Sequence, residues 1–332
     1  MQKIRKLRKI AVIMGTGIGD LVIMQPFLQK LKKEFPTCKI TLISKIFRNK
    51  DLLNIFNNHD FIVELSKNRS KIIRKLRKAN FDLVFVGFNA KKGSTILSRL
   101  IGKNIILGFK ENKLSVLYNK KVKKEGKTIL EANLNALKKL GIKIGDKDCK
   151  INLKVKKSRK KFNKFVALHC GVKKGYFTRF WPPERWADVL EYAYKKYKLK
   201  PVFIGGKEDI KETNKIINFL KIPYINLVDQ LAFLETISVI NDSKLFISTN
   251  SGPMHIAAAL EKKQIALCGP SKLEWEPFNK KAIIIRETIN RKRCNPPCDE
   301  KLCYYKDCLC MKKIETDRVK FSIEKFMKNA KN

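Results

Sequence analysis

The chain has 332 residues, 44% of them hydrophobic, which is the ordinary content of a globular protein and enough for two domains with real cores. Lys and Arg total 73 against 30 Asp and Glu, a net charge of +43. That excess reads as contact with a polyanion, either nucleic acid or an anionic membrane face, or as a Lys-rich habit of composition, and its spread over elements such as Lys195, Lys196 and Lys198 assigns most of it to habit. No stretch approaches the roughly 18 uninterrupted apolar residues of a membrane span, which excludes a spanning helix.

The first element follows a basic cluster. Lys3, Arg5, Lys6, Arg8 and Lys9 precede an apolar run at 10–14, the outline of a signal peptide. Residues 15–20 then break the run with three glycines and a carboxylate, and no small-residue cleavage pattern follows. A retained, intracellular N-terminus is expected, with any membrane association peripheral and driven by charge. Strands are expected at 10–14, 40–43, 61–65, 83–88 and 105–107, with helical patterns at 21–35 and 70–79 between them. This alternation is the signature of a doubly wound parallel sheet.

Gly15-Thr16-Gly17-Ile18-Gly19-Asp20 joins the first strand to the first helix. Its glycines allow a tight turn and close approach of the backbone to a ligand, Gly17 and Gly19 beside an acceptor. It is not the dinucleotide fingerprint, which needs G-x-G-x-x-G and a later acidic residue. Asp20 at the helix start reads as a cap, or as a carboxylate able to take a proton from an incoming hydroxyl.

Residues 154–164 carry seven Lys or Arg and mark a domain boundary. Sparse aromatic residues make this a solvated linker in preference to a nucleic-acid site. The expected domains are 1–155 and 165–332. In the second, strands are expected at 165–168, 201–204, 225–227, 245–247 and 265–268, and helices at 183–197, 211–220, 232–241 and 254–260. Two Rossmann-like halves result, and ligands in such sheets sit beyond the carboxyl ends of the strands.

Three strand-end loops of this half carry candidate chemistry. The loop after 165–168 holds His169, Lys173, Lys174 and Arg179, and its basic side chains suit a diphosphate. Trp181 and Trp186, a little further on, read as packing residues. Gly205-Gly206-Lys207-Glu208-Asp209 offers a carboxylate, Glu208, to ribose hydroxyls, or is a plain turn. Thr249-Asn250-Ser251-Gly252-Pro253-Met254-His255 opens a helix: the Ser251 hydroxyl is expected to cap it, Pro253 fits its first turn, and the free N–H groups suit a phosphate. A well-capped helix with no ligand explains the same residues.

Only three histidines are present, no Cys/His catalytic system can be assembled, and there is neither an H-E-x-x-H site nor a P-loop. No cofactor is expected. Five of nine cysteines cluster as Cys294, Cys298, Cys303, Cys308 and Cys310. Clustered thiols point to metal more than to disulfides, but the spacing is not a clean zinc-ribbon pair, so structural zinc stays an open option and no catalytic metal is expected.

The order of these motifs resembles glycosyltransferase family 9, the ADP-heptose:lipopolysaccharide heptosyltransferases. The resemblance rests on Gly19-Asp20 with residues 21–26, Arg179-x-Trp181-Pro182-x-x-x-Trp186, Gly205-Gly206, Ser251-Gly252-Pro253-Met254-His255, Gly269-Pro270-Ser271 and the cysteine pattern Cys294, Cys298, Cys303, Cys310-Met311. It implies an α/β GT-B fold, two Rossmann-like domains facing each other across a cleft, the acceptor mainly on the first and the nucleotide sugar on the second. It implies Asp20 as general base, and Arg179, Lys174, Glu208, Asn250, Ser251, Gly252 and His255 on the donor side. Asn250 stands where many members have Asp, and Gly171 and Val172 where some have hydroxyl residues.

The expected activity is therefore inverting, metal-independent transfer of a heptose from ADP-heptose to a lipid A–core acceptor. The expected place is the cytoplasmic face of the inner membrane, with peripheral contact to its anionic surface and no specific nucleic acid. The rivals are the same fold with another sugar or acceptor glycan, and a non-catalytic polyanion binder.

Overall fold

A computed structural model describes residues 6–328 apart from 46–57, 66–67, 89, 112, 152, 154, 156–161, 173–174, 288, 290–291, 293, 295–297, 299–302 and 306–307. The chain divides into two compact units, Met1–Asn152 and Leu153–Asn332.

The described elements of the first unit run β1 (Lys9–Ile13), α1 (Ile18–Glu34), β2 (Lys39–Ser44), β3 (Phe61–Glu64), α2 (Arg69–Lys78), β4 (Phe81–Val86), α3 (Lys92–Ile101), β5 (Gly102–Phe109), β6 (Lys120–Val122) and α4 (Ile129–Asn135). The strands form one parallel sheet in the order β3-β2-β1-β4-β5-β6. Winding reverses between β1 and β4. Their residues Ile10, Ala11, Val12, Leu83, Val84 and Phe85 are buried without alternation, as strands covered on both faces must be. Phe27 of α1 stacks on Phe85 at 4.1 Å between centroids and fixes the helix to the sheet.

The second unit repeats the plan with β7 (Phe165–His169), α5 (Pro183–Tyr197), β8 (Lys200–Phe203), α6 (Ile210–Ile217), β9 (Ile225–Asn226), α7 (Phe233–Asp242), β10 (Leu245–Thr249), α8 (Gly252–Ala259), β11 (Gln264–Leu267), β12 (Ala282–Ile285), α9 (Leu309–Lys312) and α10 (Thr316–Lys328). Its parallel order, β12-β11-β10-β7-β8-β9, is the first sheet's order read from the other edge. The reversal falls between β7 and β10, so the loops after these two strands flank the switch point. α10 returns to pack on α5, where Lys320 pairs with Asp188 at 2.7 Å. Trp181 and Trp186 lie in this core, edge to face at 5.2 Å, and the Trp181 indole N–H donates to the Ile314 carbonyl at 3.0 Å. They pack and do not stack on a ligand.

Several elements carry no clear sequence signal. The edge strands β6 and β12 are short, and β6 is two lysines and a valine. Strand β4 stops at Val86, two residues before the expected end, because the Phe88 N–H leaves the ladder for the Asn133 side-chain oxygen at 2.8 Å. Among the described residues no helix is long and apolar enough to cross a membrane.

Candidate active site

In the first unit the loop between β1 and α1 is built around one carboxylate. Asp20 occupies the third position of α1, and its Oδ2 accepts the Gly17 N–H at 2.8 Å. A Cβ on Gly15 would stand 2.3 Å from Asp20 Oδ1, and one on Gly17 would stand 2.9 Å from Oδ2. The two glycines are thus the space in which the carboxylate sits. The Ser44 hydroxyl, at the end of β2, donates to the Gly15 carbonyl at 3.1 Å and ties the loop to the sheet. Gly19 is buried at the helix start and Asp20 is half-buried. Asp20 thus caps α1, as one of its two sequence readings has it, and the same carboxylate lies at the carboxyl end of a central strand.

In the second unit the ends of β7, β8 and β10 converge because these strands are neighbours. Thr249 Oγ1 donates to the Gly171 carbonyl at 2.7 Å, closing the β10 loop on the β7 loop. Arg179 is buried in a 3-10 turn, Phe177–Arg179, where its guanidinium lies over the Tyr176 ring at 4.4 Å. Its Nη1 donates to the Asn250 carbonyl at 3.2 Å and meets Asn250 Oδ1 at 3.5 Å. The Asn250 amide in turn donates to the Trp275 carbonyl at 2.9 Å. His255, one turn into α8, is buried edge-on to Trp275 at 6.2 Å. Burial, then the charge of Arg179, pushes its imidazole down to about 4, so it is neutral at neutral pH.

Ser251 is the N-cap residue of α8, with extended backbone, but its hydroxyl does not cap the helix. The expected side-chain cap is corrected by the geometry: Pro253 has no N–H to offer, and the hydroxyl meets His169 Nδ1 at 3.0 Å instead. The other imidazole nitrogen, Nε2, lies 3.2 Å from Asp209 Oδ2, which also accepts the Gly206 N–H at 2.9 Å. Burial raises the Asp209 carboxyl, but the hydrogen bond and charge of His169, with the Gly206 N–H, outweigh it and hold the group below the usual carboxylate range. Gly171 and Gly205 leave room for this side chain, since a Cβ on Gly171 would fall 1.7 Å from Asp209 Oδ1. Gly171→Ala is expected to displace a buried, bonded carboxylate and to cost about 1–3 kcal/mol, read as a lowered melting temperature. An unchanged melting temperature would mean the loop moves freely.

The structure brings Arg179, Asn250, Ser251, Gly252 and His255 to one end of the sheet, with Glu208 exposed on the turn Lys207–Asp209. Lys174 lies outside the described residues. Asp209 and the role of His169 are what sequence reasoning missed. The Gly206-x-x-Asp209 spacing is a capping signature, and His169 ends its strand, so both signals were present. Around Cys310, burial and the neighbouring thiols of Cys298, Cys308, Cys294 and Cys303 push the thiol up to about 12. Among the described residues no three His, Cys, Asp or Glu side chains form a set that could hold a metal ion. Met311, next to Cys310, lies against the loop after β11, where a Cβ on Gly269 would meet its Sδ at 2.2 Å.

The sequence profile of glycosyltransferase family 9 (heptosyltransferase) matches residues 69–305. The chain belongs to glycosyltransferase family 9. It is 27% identical over 330 residues to lipooligosaccharide heptosyltransferase 2 of Campylobacter jejuni, covering 96% of this chain and 98% of that one. Among solved structures it is similar to Escherichia coli ADP-heptose lipopolysaccharide heptosyltransferase II, with a TM-score of 0.75, 20% identity, and 98% and 100% of the two chains covered. It is also similar to E. coli heptosyltransferase WaaC with ADP-2-deoxy-2-fluoro heptose, with a TM-score of 0.67, 16% identity, and 96% and 99% covered. These likenesses identify the α/β architecture as GT-B. Family 9 membership makes the chain a glycosyltransferase, and the two strand-end clusters are its candidate acceptor and donor sides.

Proposed function

We propose that this family 9 transferase moves a heptose from ADP-heptose to a lipopolysaccharide core acceptor with inversion at the anomeric carbon. The observation that carries the donor side is the buried Arg179 guanidinium on Asn250, beside the start of α8 at the switch point of the second sheet. A fixed cation and a helix N-terminus neutralise charge on a departing diphosphate, and preorganised groups do this without reorganising. Asp20 takes the proton of the acceptor hydroxyl as its oxygen attacks the anomeric carbon. The bond from that carbon to the diphosphate oxygen breaks, and ADP leaves with the electron pair. By the family resemblance Glu208 serves the ribose, and Lys174, outside the described residues, the diphosphate. The choice of ADP-heptose and of a lipopolysaccharide acceptor is supported by the names of the relatives.

The same-class rival, another nucleotide sugar, draws on Asn250. Its amide donates to the Trp275 carbonyl, where a carboxylate would face another oxygen. A thermal-shift screen with ADP-, UDP- and GDP-sugars separates the two readings. A ligand at about 100 times its dissociation constant stabilises the native state by about 2.7 kcal/mol. Stabilisation by ADP compounds alone is expected, and stabilisation by UDP or GDP compounds alone would favour the rival.

Contact with an anionic membrane surface is proposed for the first unit. Arg69, Lys71, Arg74, Lys75, Arg77 and Lys78 of α2 are all exposed, and α2 contains no acidic residue. The helix packs beside α3, whose Ile96 and Leu100 are 47% and 46% exposed, and α3 borders the turn carrying Val116, 70% exposed. Exposed basic and apolar groups on neighbouring elements suit a headgroup layer. In the N-terminal cluster Lys9 Nζ donates to the Ala79 carbonyl at 3.2 Å, and Lys3 and Arg5 lie outside the described residues. Replacing Arg74, Lys75 and Lys78 with Gln, and Ile96 and Leu100 with Ser, is expected to abolish salt-sensitive binding to vesicles containing anionic lipid. Unchanged vesicle binding, or tighter binding to RNA than to vesicles, would contradict this assignment.

A further inference from the structure

The Ser251–His169–Asp209 chain has a consequence for how the donor loop meets an anion. Asp209 is ionised, so it can only accept, and His169 Nε2 must carry the proton that lies between them. When the imidazole is neutral, Nδ1 is then an acceptor for the Ser251 hydroxyl, 3.0 Å away. With its proton turned inward, the Ser251 oxygen shows only lone pairs to the half-exposed start of α8. A phosphate oxygen arriving there would meet lone pairs.

We propose that His169, oriented by Asp209, is a proton-coupled positioning residue that takes one proton from solvent when a nucleoside diphosphate group binds at Ser251–Gly252. Protonated, His169 donates from Nδ1 to the Ser251 oxygen and from Nε2 to Asp209. The Ser251 hydroxyl then turns outward and donates to the phosphate. His169 does not itself touch the ligand. The proposal rests on reading this loop as the diphosphate site.

Three strands supply the parts. Pairing of β7 with β10 sets Ser248 opposite His169, which carries Ser251 past the strand end to Nδ1. Pairing of β7 with β8 carries Asp209 to Nε2 from the other side. Two buried ionisable groups of these loops, Cys170 and His255, are shifted in opposite directions. Burial, then the Asp209 charge, raises the Cys170 thiol well above its ordinary value, so it stays protonated. His255, pushed down to about 4, stays neutral. Lys207 and Glu208 are exposed on the turn before Asp209, and Lys173 and Lys174 lie outside the described residues.

The sign follows from linkage. Binding that takes up one proton is strongest at acid pH and weakens as pH rises, by up to tenfold per pH unit. ADP-ribose is the suitable probe, because its diphosphate diester has no ionisation of its own near neutrality. Isothermal titration of the whole chain with ADP-ribose from pH 5.5 to 8.5, in buffers of different ionisation enthalpy, is expected to show up to one proton taken up per site. Nitrogen-15 spectra are tractable with three histidines in the chain. The spectra are expected to show His169 as the Nε2–H tautomer when free at pH 8, and doubly protonated in the saturated complex at pH 7. Ser251→Ala keeps the helix, since the hydroxyl does not cap it, and should lose the pH dependence. Binding without proton uptake, a free Nδ1–H tautomer, or an unchanged pH slope in Ser251→Ala would overturn the relay alone. Absence of ADP-ribose binding at every pH would overturn the donor-loop reading and the relay with it.

Discussion

Replacing Asp20 with Asn is expected to lower turnover by at least ~10²-fold while leaving the melting temperature and ADP affinity near their wild-type values. The geometry makes this substitution selective. Asn keeps a side-chain oxygen for the Gly17 N–H that Asp20 now accepts at 2.8 Å, so the start of α1 stays capped. What Asn cannot do is take a proton. Asp20→Ala removes both roles, and should add a stability loss of about 1 kcal/mol for the hydrogen bond. Gly15→Ala is the complementary probe. Its new Cβ, 2.3 Å from Oδ1, would push aside the end of a side chain, not backbone, so the fold should survive with the carboxylate displaced. Turnover should fall with it. Near-normal turnover in Asp20→Asn would leave Asp20 as a cap and nothing more.

The second large effect is expected at Arg179. Arg179→Ala should weaken ADP and ADP-sugar binding together, since the phosphates are common to both. The loss of a hydrogen bond to a charged group, about 1.5–3 kcal/mol, corresponds to about 10- to 100-fold in affinity. The substitution also removes the donor to the Asn250 carbonyl, so some loosening of the β10 loop belongs to the same effect. Arg179→Lys should recover part of the affinity, because it keeps the charge but not the planar fork. Isothermal titration separates the outcomes: equal affinity of wild type and Arg179→Ala for both ligands would remove Arg179 from the donor side.

Much of this could be read before any coordinates, for definite reasons. The central strands are apolar runs followed within two residues by Gly or Asn, and the segment from Ser251 to Leu260 announces a helix through Pro253 and its alanines. Such local signals survive folding. What failed was non-local. His169 and Asp209 are 40 residues apart, and only the adjacency of β7 and β8 makes them a pair. The Ser251 hydroxyl was expected to serve its own helix, and tertiary contact redirected it to His169. Helix α3 was not anticipated, since it opens on Lys92 and Gly93 and leaves Ile96 and Leu100 facing solvent, which blurs its apolar stripe. The exposed apolar groups beside α2 could be seen only once the sheet had placed them.

The most direct test of the whole account is a transfer reaction with purified protein. ADP-heptose and a lipopolysaccharide core acceptor lacking the heptose would be supplied, with ADP release and the anomeric configuration of the product followed by NMR. The account predicts one ADP released per heptose transferred, with inversion at the anomeric carbon and no loss of rate on chelation. Transfer from a UDP- or GDP-sugar in place of ADP-heptose, or a product that retains the donor's configuration, would contradict it.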